Sequence, residues 1–183
     1  MRNREKIAWI STIVLSALLV TTLYMHPLAV TFVEEPKVTG YVEYIIETSH
    51  GTYVFKSHNI VVTIGKRRVR NLLLGNATDP TNATKYIALS NDASPDASWT
   101  KLPNEITGSG LARAAGTVTI INSTAFQVEH KFTASATVTV QCSGLHWSPD
   151  SDSDGNLFAA NTFTQVTLNQ NDNITVRWTV NIG

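Results

Sequence analysis

The densest group of metal-ligating side chains in this 183-residue chain is Asp150-Ser151-Asp152-Ser153-Asp154-Gly155. Three carboxylates at alternate positions can converge on one hard cation, and the glycine permits the sharp turn such a loop needs. Asp150, Asp152 and Asp154 are therefore the candidate calcium ligands. A helix–loop–helix calcium site would carry a bidentate glutamate where Asn161 stands, and no helical pattern flanks the loop. A calcium site here would belong to a β loop; a solvated acidic connection between strands is the competing reading. No other cofactor is indicated. The five histidines, His26, His50, His58, His130 and His146, lack zinc-ligand spacing, and the single cysteine offers no thiolate pair. His50 and His58 flank an expected hairpin and are the pair a fold could bring together. Cys142 alternates with Val138 and Val140, which makes it a small core side chain before it is a nucleophile. Nucleophile-elbow, phosphate-loop and dinucleotide motifs are absent. Glu34-Glu35 and Glu43/Glu47 do not by themselves define a carboxylate pair for glycoside hydrolysis. The expectation is that the protein is not an enzyme.

Two further residue types can meet sugars. Four N-x-[ST] sequons open at Asn76, Asn82, Asn122 and Asn173. As a set they fit an exported glycoprotein, although each also reads as an ordinary turn or strand residue, Asn173 most of all. Trp99 sits in a stretch rich in Asn, Asp, Ser, Thr and Pro, and is the best candidate for an exposed ring that stacks on a glycan. Trp147 and Trp178 lie in apolar strands and are expected to anchor a core.

The charges locate the chain. Basic and acidic residues balance at 14 each, so no global field holds nucleic acid. The only dense basic run, Lys66-Arg67-Arg68-Val69-Arg70, lacks interleaved aromatics and reads as a solvated edge or turn. Ile7 to Met25 is an uncharged run of nineteen residues preceded by Arg2, Arg4 and Lys6. As a helix it would reach about 28 Å, close to the roughly 30 Å hydrocarbon core. The basic flank keeps the N-terminus in the cytoplasm and exports the remainder. An uncleaved anchor fits this length better than a cleaved signal peptide, whose apolar region runs about 7–15 residues. Residues 1–26 are thus a basic tip with a transmembrane or signal-anchor helix. Residues 27–37 form a linker, and its Val30–Val33 can either be a stalk or a strand that pairs with a neighbouring subunit. Residues 38–183 form the extracellular domain, and from residue 30 onward acidic residues outnumber basic ones by two.

The elements of that domain are strands. Ile174, Val176, Trp178, Val180 and Ile182 alternate with polar residues, a period of two with one wet face. Val118 and Ile120 continue the pattern. Phe132, Ala134, Ala136, Val138, Val140 and Cys142 read as one long strand. Val38–Thr48, Thr52–Lys56 and Asn59–Ile64 are expected strands, with a turn at Ser49-His50-Gly51, and Phe158–Leu168 holds two short ones. Tyr86-Ile87-Ala88-Leu89 is another. Arg68–Leu74 could form a helical turn or two, stopped by Gly75. The 24 threonines suit pleated surfaces. Seven to nine short strands predict an all-β antiparallel sandwich of jelly-roll or immunoglobulin-like type, and one cysteine means it holds without an internal disulfide.

The last hundred residues carry an order of motifs: a Tyr-Ile-Ala-Leu-Ser strand, Leu102-Pro103-Asn104-Glu105-Ile106, Ser143-Gly144-Leu145, Leu157–Phe163 and Asp172–Ile182. Over residues 85–183 this resembles a β-sandwich module of virion and tail-associated structural proteins of tailed phages and related archaeal viruses. The resemblance implies a structural, non-enzymatic role. Joined to the N-terminal segment, it points to a self-associating subunit of a virion or archaeal-type surface filament. A surface adhesin or glycan-binding module, calcium-dependent through the aspartate loop, is the alternative. The expected partners are membrane lipid along residues 7–25, other copies of the chain and, in the alternative, a glycan.

Overall fold

In the computed structural model the described residues are 37–182, apart from 74, 76–81, 93, 153 and 154. The membrane-like segment 7–25 and the Val30–Val33 linker lie outside them. Among the described residues no helix is long and apolar enough to cross a membrane.

Two five-stranded antiparallel sheets form the domain. The first has the order β2 (Gly51–His58), β1 (Val38–Thr48), β10 (Asn173–Ile182), β7 (Ala125–Thr133) and β6 (Thr117–Ile120). The second runs β3 (Ile60–Val61), β9 (Leu157–Leu168), β8 (Val138–His146), β4 (Tyr86–Ser90) and β5 (Ala114–Ala115). Alternation sets the first sheet. Even-numbered β1, β10 and β7 residues, among them Val42, Trp178 and Val128, face the core in register, and the odd-numbered ones lie on the outer face, mostly in contact with water. They meet Ile87, Leu89, Val140, Leu145 and Phe163 of the second sheet in one apolar core.

Inside that core one polar contact joins the sheets. The Tyr44 hydroxyl donates to Asn161 Oδ1 at 2.9 Å and so accepts from Ser143 Oγ at 2.8 Å. Ser57 Oγ also donates to Asn161 Oδ1, at 2.8 Å, and Asn161 Nδ2 donates to the His58 carbonyl. Burial raises the Tyr44 pKa well above its ordinary value, so the phenol stays protonated. The Tyr44 ring lies 3.9 Å from that of Phe163, centroid to centroid.

Several expected elements change. Asn59–Ile64 is not a strand: β3 has two residues, and an eleven-residue helix, α1 (Thr63–Leu73), follows at once. Its buried face includes Arg68, and that charge masks the helical period in the sequence. Gly65 lets α1 lie on β9, because a Cβ there would stand 2.1 Å from the Phe158 carbonyl oxygen. The run 132–142 is also not one strand. It breaks at Ala134, whose N–H donates to the Asp172 carbonyl and whose carbonyl accepts from Asn171 N–H. The chain then changes sheets before Val138. The small residues of this corner alternate like those of the strands beside it, so periodicity cannot reveal the break. Gly110 (φ 76°) makes the adjoining turn, packed against the Thr133 carbonyl. Phe158–Leu168, by contrast, is a single strand.

Tyr44→Phe removes the central hydroxyl and leaves Ser143 without this acceptor. We expect urea unfolding to show a loss of about 1–3 kcal/mol with an unchanged denaturant slope.

Candidate functional site

Around β4 and the C-terminal half of β8 the second sheet is buried on both faces: Ile87 and Leu89 face the main core and Ala88 the opposite side, and β8 divides in the same way. Its pairing with β9 shifts register between Val140 and Cys142. There Gln141 alone stands opposite three β9 residues, Phe163, Thr164 and Gln165, and across this irregularity the pleat reverses, so Val140 faces the main core while Cys142 turns to the opposite face. The expectation that Cys142 lies inward beside Val140 is therefore corrected: it is buried beneath Leu102, next to Ala88. Burial pushes its thiol up to about 12, which keeps it protonated.

The segment between β4 and β5 covers that outer face. Leu102 is buried on it, and Trp99 is half-buried, packed between the Ala88–Leu102–Cys142 cluster and the Val62–Leu157–Ala160 cluster. Trp99 thus does not stand free in a polar loop as a glycan platform would. Around it the cover is tied down by backbone bonds: Thr63 N–H to the Ala97 carbonyl, and Gly155 and Leu157 N–H to the Thr100 carbonyl.

The centre of the cover is Arg113. Its Nε donates to Glu105 Oε1 at 2.9 Å and its Nη2 to Glu105 Oε2 at 2.5 Å. Nη1 reaches the carbonyls of Ser148 (3.0 Å) and Asp150 (2.7 Å) and Asn156 Oδ1 (3.1 Å). The two side chains of the ion pair are only 2% and 7% exposed. His146 Nδ1 lies 2.6 Å from Asn156 Oδ1, and Asn156 Nδ2 donates to the Asp150 carbonyl. Oδ1 is therefore an acceptor, and Nδ1 carries the imidazole proton. Burial, with Arg113 nearby, pushes the His146 pKa down to about 3, so the ring is neutral. Nothing in the sequence links Glu105, Arg113, Asn156 and His146. They are scattered between positions 105 and 156 and meet only when the cover folds onto β8.

The remaining predicted residues are spread over the surface. In the aspartate loop, Asp150 Oδ1 accepts from Asp152 N–H at 2.9 Å, and Asp154 lies outside the described residues. Among the described residues no three His, Cys, Asp or Glu side chains are grouped to hold a metal ion. His50 and His58 sit at opposite ends of β2 and do not meet. The basic run is part of α1, where Arg68 is buried, donates to the Asn82 carbonyl and lies over the Trp147 ring. Asn76 lies outside the described residues; Asn82 and Asn122 are exposed. Asn122 Oδ1 accepts from the N–H and hydroxyl of Thr124, an Asx turn between β6 and β7. Asn173 is in β10 and accepts from the Thr133 hydroxyl. The clefts at the ends of the sandwich are open, the one beside Tyr41, Ile121 and Asn181 measuring about 390 Å³.

No protein-family model matches the chain, and no curated protein matches it.

Two outcomes follow from the buried network. Arg113→Met leaves Glu105 charged without its partner and should cost about 3–5 kcal/mol in chemical denaturation, much of it recovered in the Arg113→Met/Glu105→Leu double variant. His146 is held neutral when folded but takes up a proton near pH 6.5 when unfolded. Its contribution is whole above that value and is lost as the pH falls towards about 3. Between pH 7 and 5 wild type should lose about 2 kcal/mol, and His146→Gln should flatten that slope.

Proposed function

We propose that this chain is a non-enzymatic structural subunit of an extracellular assembly, a virion or an archaeal-type surface filament, whose sandwich domains associate through sheet edges. The observation that carries this reading is the state of the edges. Both outer strands of the first sheet, β2 and β6, carry large apolar side chains in solvent: Tyr53 and Val54 on one, Val118 and Ile120 on the other. An exposed, apolar, unpaired edge is what soluble monomers avoid. The edges of the second sheet are two-residue strands and offer little to pair with.

The rest of the reading follows from the sequence. Residues 7–25 hold the chain in a membrane with the N-terminus cytoplasmic, and the domain stands outside on the 27–37 linker. An exterior location accommodates N-glycans at the exposed Asn82 and Asn122. The tyrosine and arginine networks support a scaffold role, since the polar groups of Tyr44, Asn161 and Arg113 are engaged within the fold. The glycan-binding alternative draws less support from Trp99, which is half-buried and packs on two apolar clusters.

Full-length protein should sediment as assemblies and show particles or filaments in negative-stain micrographs. A single monomer peak across the accessible concentration range would contradict the reading.

A further inference from the structure

The two open edges of the first sheet are not alike. On β2 the exposed apolar residues Tyr53 and Val54 are consecutive and so point to opposite faces, and Lys56 and His58 share the strand. β6 is Thr-Val-Thr-Ile, with no charge to guard it. Val118 pairs with Val128 and Ile120 with Phe126, so both point to the core-side face of the sheet. Yet Val118 is 47% and Ile120 81% exposed. Val38 and Ile182, paired with each other, extend this apolar face at the same end, and Ile182 is also exposed.

The backbone of β6 is open on the same side chains. Ile121 N–H bonds the Ala125 carbonyl. By antiparallel alternation Thr119 and Thr117 then bond β7, while Val118 and Ile120 turn their N–H and C=O to the free edge. Gly116 obeys this parity, since its N–H points away from β7 and bonds the Lys85 carbonyl. Two residues thus present four main-chain groups and two apolar side chains in one row.

We infer that the open edge of β6 accepts the Leu28–Val33 segment of a second copy of this chain as an added strand. The inference rests on the assembly reading and specifies its contact. Leu28, Val30 and Phe32 alternate with Ala29, Thr31 and Val33, and the segment is uncharged. Its apolar row extends that of Val118 and Ile120 across the edge, while its backbone takes up the four open groups. A strand beside β6 lies four strand spacings from β1, about 19 Å, and the five steps from Val33 to Val38 reach about 18 Å only when fully stretched, so a second copy is the donor that needs no such stretch.

The test uses full-length protein with engineered cysteine pairs, the native Cys142 being buried. Thr119→Cys is combined in turn with Ala29→Cys, Thr31→Cys and Val33→Cys, and Val54→Cys on β2 is combined with the same three. At least one Thr119 pair should give a ladder of disulfide-linked multimers on non-reducing gels, and the Val54 pairs none. Val30→Asp/Phe32→Asp should shift the protein from the assembled to the monomer peak while the β-sheet circular-dichroism spectrum and a cooperative unfolding transition are kept. Assemblies that persist in that variant, or that cross-link only through Val54, overturn the strand addition and leave self-assembly standing. Protein that is monomeric in every form, wild type included, overturns both.

Discussion

Arg113 is the side chain on which the architecture of the second sheet depends. A sheet with apolar side chains on both faces needs a second cover, and here that cover is irregular chain held by scattered backbone bonds and by side chains. A guanidinium has five N–H donors in a fixed plane. Arg113 places them on Glu105, on two loop carbonyls and on Asn156, so that one side chain ties the β4–β5 segment to the β8–β9 loop. A buried ion pair of this kind contributes little net stability over an apolar replacement, and what it fixes is geometry. It sets where the cover lies, and through Asn156 it sets which nitrogen of His146 carries the proton.

The first sheet follows the opposite rule. Its outer face is wet and carries a row of alternating charge in register, Lys56, Glu43, Arg177 and Glu129 on four adjacent strands. Arg177 bonds both glutamates, to Glu129 at 2.5 Å. Half-exposed pairs of this sort contribute modestly to stability, but each opposes a register slip, since a shift of one residue would turn the charges to the core. The protein therefore has one sheet covered on both faces around β4 and one sheet with a polar face and two open edges. That asymmetry leaves the first sheet free to associate.

The legibility of the chain divides along the same line. β10 could be read residue by residue, because strict alternation is the physical signature of a strand with one wet face. β8 could not, because both its faces are buried and a bulge reverses its pleat; Cys142 was accordingly expected beside Val140 and lies on the other face. Helix α1 was legible only as a turn or two around Arg68–Leu74, because its buried face includes a charged residue whose partners come from distant segments. Trp99 read as a surface ring from its polar neighbours, while its contacts are with Val62, Leu157, Ala88 and Leu102, none adjacent in sequence.

By itself the sequence determined the class of fold, the face that β10 and β6 turn to the core, the roles of Trp178 and Trp147 in the core, and the apolar character of residues 7–25, while most of the central strand β7 went unread. These are local properties, carried by spacing and residue type along a few positions. Only the tertiary structure decided that residues 132–142 divide between two sheets, that Glu105, Arg113, Asn156 and His146 form one network, and that Val118 and Ile120 stand at an open edge. Each depends on which distant segments meet. A residue's burial is set by what packs on it, and periodicity records only the side from which packing comes.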